Sequence, residues 1–166
     1  MGNAMSEILA TLIRRNTWAS LRLLEACEEL TDSQMDSDLN GTYGTVRNTI
    51  QHLVSAEHRY AQALRPSNED GPNETKPFPG FSALSESLQR TGAVLAEVAE
   101  SAEGDWEIEA TYRGKEAVFK ASTFLAQAIE HATEHRTQVR AIMTQQGVAP
   151  PNVDSWAYAA ALAASA

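Results

Sequence analysis

A chain of 166 residues is long enough to bury a substantial apolar core as one domain spanning 1–166, so it needs no covalent staple to fold. Its 13 basic and 22 acidic side chains leave a net charge of −9, which opposes electrostatic attraction to nucleic acid or to an anionic membrane. The single cysteine, Cys27, excludes an internal disulfide and suits a reducing, cytoplasmic setting. No apolar run approaches the roughly 20 residues that span a bilayer, and the N-terminus lacks the basic-then-apolar profile of a secretory signal. Met1-Gly2-Asn3-Ala4 stand before a second methionine, Met5, and read as an added leader as readily as native chain.

From Met5 to Leu30, the residues Leu9, Leu12, Ala19, Leu23, Cys27 and Leu30 recur at helical spacing, which predicts a first long amphipathic helix. Among those leucines Cys27 reads as a buried thiol rather than a nucleophile. Asn16 falls on the same stripe, where it either bonds a neighbouring backbone group or approaches a site. Thr31, Asp32 and Ser33 then supply turn or cap chemistry. A second helix is predicted from about Thr45 to Leu64, stopping before Pro66. Its apolar arc holds Val46, Ile50, Leu53, Tyr60, Ala61 and Leu64, with Glu57 near the middle. An unpaired buried charge is costly, so Glu57 must orient a metal-bound histidine, serve as a base, or pair with a neighbour in the core. His52 lies roughly 130° from the arc centre and His58 roughly 110° to the other side. Periodicity therefore does not select His52, and His58 reads as a surface residue.

Residues 65–80, RPSNEDGPNETKPFPG, form a polar, proline-rich connection of unusual length, as a segment covering one end of a bundle would be. A third helix is predicted from Phe81 to Ala99. The alternation of Trp106, Ile108, Ala110 and Tyr112, then Arg113-Gly114-Lys115 and Val118-Phe119, signals a short hairpin. After a fourth helix, Gly147 and Pro150-Pro151 supply the stop. The closing SWAYAAALAASA reads as a short packed helix, with Trp156 and Tyr158 as packing anchors.

The fourth helix, Thr123 to Thr144, carries the chemistry. At about 100° per residue, Phe124, Ala128, His131, His135, Val139 and Ile142 share one narrow stripe. Imidazoles at i and i+4 are neighbours, able to converge on one metal ion at about 2.0–2.1 Å each. His131-Ala132-Thr133-Glu134-His135 also matches the H-x-x-E-H pattern of inverted zinc peptidases, yet no glutamate follows Glu134 to serve as the downstream ligand. A di-iron carboxylate site is excluded, because no histidine has a glutamate three residues before it.

Four helices of about 20 residues, a long second connection and a hairpin before the last long helix describe a particular bundle. With NTWASLRLLEACEELTDSQMD in the first helix and turn, NTIQHLVSAEHRY in the second, IEHATEHRTQV in the fourth and PPNVDSWAY near the end, the chain resembles the DinB/YfiT-like superfamily of metalloenzymes. The resemblance implies an all-α, up-down-down-up four-helix bundle with a short β-hairpin before the fourth helix. It also implies a divalent metal held by three histidines, which on matching positions are His52, His131 and His135. Thr137 departs from the glycine that many relatives carry there. Three neutral nitrogens leave a tetrahedral ion one open position, and imidazole suits zinc and nickel foremost, with iron or manganese next. Some relatives are thiol-dependent S-transferases or isomerases, so the expected activity is that of a metal-dependent hydrolase or low-molecular-weight-thiol S-transferase with a small-molecule substrate. Glu57 is the candidate catalytic base. The alternatives are a non-catalytic metal or small-ligand binding protein and, further off, a structural bundle with buried histidines. The resemblance and the apolar C-terminal segment together point to a homodimer.

Overall fold

The computed structural model describes residues 4–165; Met1, Gly2 and Asn3 of the segment ahead of Met5 lie outside the described residues, as does Ala166. Its elements in chain order are α1 (Ala4–Glu28), α2 (Asp32–Met35), α3 (Val46–Leu64), α4 (Phe81–Ser101), β1 (Glu107–Tyr112), β2 (Lys115–Lys120), α5 (Ala121–Gln145) and α6 (Ser155–Ala164). The molecule is thus mostly helical, with one small antiparallel sheet among the described residues.

Local chemistry accounts for the boundaries. Thr31 and Gln34 form a reciprocal capping box, and their cap chemistry produces α2 as a single extra turn. Thr45 caps α3 by accepting from the Asn48 N–H. In the hairpin Tyr112 sits opposite Lys115, so Arg113 and Gly114 form a two-residue turn with φ of 52° and 75°. Positive φ at both positions is what a type I′ turn demands, and Gly114 meets it without a Cβ clash.

The long helices pack in two pairs of contacts: α1 against α4 and α5, and α3 against the same two. Two apolar clusters fill the interior. One gathers Leu23, Cys27, Ile50, Leu88 and Ile142; the other gathers Ile13, Leu64, Leu95, Val98 and Leu125. Between them, at mid-height, lie buried Asn16, Ser20, Glu57, Thr91 and Arg136. Cys27 is fully buried, as expected, and burial pushes its thiol up to about 12, so it is not a nucleophile near neutrality.

The C-terminal reading needs correction. Trp156 is 84 % exposed and anchors nothing, and α6 buries no residue. The α6 segment is held on α1 from its first turn, by the Tyr158 ring at 5.4 Å from Trp18 and by Arg15 Nη2 donating 2.7 Å to the Val153 carbonyl. Leu12, assigned to the buried stripe of the first helix, is also exposed.

Where α1 meets α4, Gly92 makes their close approach feasible: a Cβ there would fall 2.3 Å from Thr17 Oγ1 and 2.9 Å from Thr17 Cβ. Alanine is the better helix former by about 1 kcal/mol, but overpacking costs about 1–3 kcal/mol and wins where backbone and Cβ must separate. Gly92→Ala should therefore lower the urea midpoint, and Thr17→Ala in the same chain should restore part of it. A Gly92→Ala midpoint at or above the parent's refutes this packing.

Candidate metal centre

The candidate metal centre begins with a second covered face on α3. Gln51 Nε2 donates 2.9 Å to the carbonyls of both Asn73 and Lys76, and Ser55 Oγ donates 2.6 Å to the carbonyl of Pro72. The 65–80 segment thus lies along the side of α3 that periodicity assigned to solvent. His58, expected at the surface, is half-buried against Gly71 for the same reason. His52 stands at the edge of this covered face, pointing toward α5.

Three imidazoles converge there. His131 Nε2 lies 3.0 Å from His52 Nε2 and 3.1 Å from His135 Nε2. The opposite nitrogens of two rings are held. His52 Nδ1 meets the carboxylate of Glu74, which also faces Arg59 Nη1 at 3.6 Å. His135 Nδ1 lies 3.0 Å from Gln138 Oε1, and that oxygen also accepts from the Tyr43 N–H at 3.1 Å. A backbone N–H can only donate, so the amide oxygen of Gln138 faces inward and His135 Nδ1 is the donor. With the protons of both rings on Nδ1, the Nε2 lone pairs of His52 and His135 aim at the same space as His131 Nε2.

That geometry fits a cation. Nitrogens at 2.0–2.1 Å from a tetrahedral ion stand about 3.3 Å apart, close to the two distances from His131 Nε2, and the three ligand atoms all lie within 4.8 Å of one another. Burial, then the neighbouring His135 and His52, pushes His131 down to about 4, and burial also lowers His135. Both rings are neutral at pH 7, the form that ligates. Tyr43 stacks on His52 with centroids 3.9 Å apart, and Tyr60 presents an edge to His131 at 5.9 Å. His135 is 5 % exposed, whereas His131 is only half-buried and leaves the site reachable.

Glu57 is 2 % exposed, as its place on the apolar arc requires, but it lies outside the hydrogen bonds of this cluster. Its Oε2 lies 3.5 Å from Asn16 Nδ2 and its Oε1 has no hydrogen-bond partner; no hydrogen bond joins it to a histidine. Asn16 Oδ1 in turn accepts from Arg136 Nη1 at 2.8 Å. Arg136 enters the interior because the buried face of α5 is turned from the expected stripe. Leu125, Ala132, Arg136 and Met143 are buried, while Phe124 and His131 stand at the edge. The sequence did carry one signal for this, the polar Asn16 on the α1 stripe. Gln138, one turn beyond His135, was also readable by spacing, whereas Glu74 lies in an aperiodic segment that gave no sign of it.

Burial raises the Glu57 carboxyl from 4.5 to about 7, against the opposing pull of Arg136 and the Asn16 bond. The folded chain therefore keeps a proton that the unfolded chain has released. This contribution to stability is complete below pH 4.5 and lost as pH rises through about 7, a swing of about 3 kcal/mol. Glu57→Gln cannot titrate. In urea unfolding of metal-free protein across that window, the variant should gain on the parent as pH rises; parallel pH profiles refute the buried, proton-holding assignment.

Comparison with known proteins bears on the family and the fold. No curated protein matches the sequence. A crystal structure of a DinB-like protein from Bacillus cereus ATCC 10987 superposes with a TM-score of 0.62 at 20 % identity, covering 84 % of this chain and 91 % of that one, a likeness of fold. The model of the DinB family matches residues 2–163, nearly the whole sequence, and the chain belongs to the DinB family.

Proposed function

We propose that this protein is a metal-dependent enzyme, a hydrolase or low-molecular-weight-thiol S-transferase acting on a small molecule. The observation that carries this reading is the gathering of three histidine ligand atoms within 4.8 Å of one another, with two of the rings held from behind by Glu74 and Gln138. His52, His131 and His135 would hold a divalent transition metal, zinc or nickel foremost and iron or manganese next. When bound, such an ion supplies Lewis acidity and a place for water or a thiolate sulfur at neutral pH. Tyr43 and Tyr60 flank the rings on two sides.

Glu57 is the proposed proton acceptor. A carboxyl raised to about 7 is matched to general-base work near neutrality, and its Oε1 is free to take the proton. The second reading, a non-catalytic metal or small-ligand binder, is favoured by the depth of Glu57 and by its bond to Asn16 rather than to the histidines.

The scaffold for either reading is, we infer, an up-down-down-up bundle. Supporting contacts run antiparallel from Ser6 to Ala102 and Thr17 to Gly92, parallel from His58 beside Arg90 to Arg65 beside Glu97, and parallel from Asn16 to Ala128 and Ser20 to Arg136. No helix among the described residues is long and apolar enough to cross a membrane. A cytoplasmic location is proposed, in keeping with the free thiol of Cys27.

Elemental analysis should find one divalent ion per chain in protein never exposed to chelator. The His131→Ala, His135→Ala double variant should bind none; full occupancy in that variant sinks the site. Glu74→Gln should bind metal about 10–100-fold more weakly, since it frees the His52 ring. Glu57→Gln should keep its metal yet lose about 100-fold or more of turnover, assayed with an activated aryl ester and with a thiol plus a chlorinated arene. Unchanged turnover removes Glu57 from the chemistry.

A homodimer is proposed as well. Met5, Ile8 and Leu12 recur on one face of α1, and Trp156 and Leu162 of α6 are also exposed, large apolar side chains that a second copy would cover. Sedimentation at micromolar concentration should show a species of twice 18.0 kDa; a lone 18.0 kDa boundary rejects the dimer.

A further inference from the structure

The face of α5 turned away from the histidines holds a second constellation. At about 100° per residue, Thr133, Arg136, Thr137 and Arg140 fall together, roughly opposite His131 and His135. Arg15 of α1 and the stretch of chain leading to Asp154 close over them, leaving a cavity of about 190 Å³. In a chain of net charge −9, three guanidinium groups meet here. None of the three forms an ion pair among the described residues, whereas Arg47 and Arg65, for example, each have a carboxylate.

Their donors are unevenly used. Arg136 commits Nη1 to Asn16 Oδ1 and Ser20 Oγ, and Nη2 to Thr133 Oγ1, each within 2.8–2.9 Å. Because Thr133 accepts from Arg136, its own hydroxyl proton is left to donate elsewhere. Arg15 is pinned by Nη2 to the Val153 carbonyl. Arg15 Nε and Arg140 Nε are both buried without any hydrogen-bond partner. Orphaned buried N–H groups on mutually repelling cations are unfavourable; an anion in the cavity would offset the charge and accept from the guanidinium donors that turn toward it. Asp154, at the rim, has one oxygen occupied by the Ala157 N–H that it caps, and it leaves the cavity positive. The planar guanidinium fork matches tetrahedral and planar oxyanions alike.

We propose that this cavity, lined by Arg15, Arg136, Arg140 and Thr133, is a binding site for a small oxyanion, phosphate or carboxylate, either free or as the charged group of a larger metabolite. It is separate from the histidine cluster and does not depend on the activity proposed there.

Isothermal titration at constant ionic strength tests it, with sodium phosphate, sodium acetate and phenyl phosphate as probes and sodium chloride as the control. At least one oxyanion should bind saturably. Preference for phenyl phosphate identifies an esterified ligand, preference for phosphate the free ion, and preference for acetate a carboxylate. Arg140→Gln and Arg15→Gln should each weaken binding about tenfold or more. The His131→Ala, His135→Ala variant should bind the anion unchanged, so failure of the metal site leaves this result standing. No saturable binding beyond chloride, equal binding in both arginine variants, or loss of binding in the histidine variant would each overturn the proposal.

Discussion

The arrangement of α5 depends on a buried polar chain, Arg136 to Asn16 to Glu57, that crosses the interior between two apolar clusters. Apolar packing alone tolerates sliding of one helix along another, since one leucine fills a gap much as the next does. A guanidinium that must find Asn16 and Ser20 at 2.8 Å does not tolerate it. Whether such a buried charge adds net stability is secondary, because well-packed apolar side chains would often do as well. Its effect is to fix height. Arg136 follows His135 directly in the chain, so the bond that seats Arg136 on α1 also sets where along α5 the histidines stand.

The histidine cluster then divides its labour between rigid and applied parts. All three imidazoles come from the middle of long helices, while what holds their far nitrogens comes from elsewhere: Gln138 one turn along and Glu74 from a connecting segment. Tautomer and ring angle are decided by those acceptors. The burial that lowers His131 and His135 keeps the rings as neutral donors, and it follows from the same packing.

How much of this was legible in the sequence depended on whether one element sufficed to reveal it. The His131 and His135 pair was readable, because i, i+4 spacing is internal to one helix. The helix caps at Thr31 and Thr45 and the Arg113-Gly114 turn were readable for the same reason. His52 was not, except through family resemblance: periodicity assumes one buried face, and α3 has two, with Thr49 and Ala56 fully covered on the side expected to face solvent. Glu74 lies in an aperiodic segment, and its role exists only once that segment is laid on α3. Arg136 was hidden by a modest rotation of α5, enough to exchange an arginine for Phe124 on the inward face. Trp156 failed as an anchor because an apolar side chain does not by itself supply a surface to pack on.

The covering segment is fastened in an unusual currency. Gln51 and Ser55 hold it by the carbonyls of Pro72, Asn73 and Lys76, groups that every amino acid carries. The grip is therefore indifferent to which side chains the segment displays, and its register is written in α3 rather than in itself. Glu74 on His52, Gly71 against His58 and Phe78 on the core are tied to their neighbours, and Arg65 and Glu69 reach α4, but the backbone grip leaves other outward positions open to change while the three histidines stay in place. Diversification of what reaches the site is thereby uncoupled from the integrity of the site.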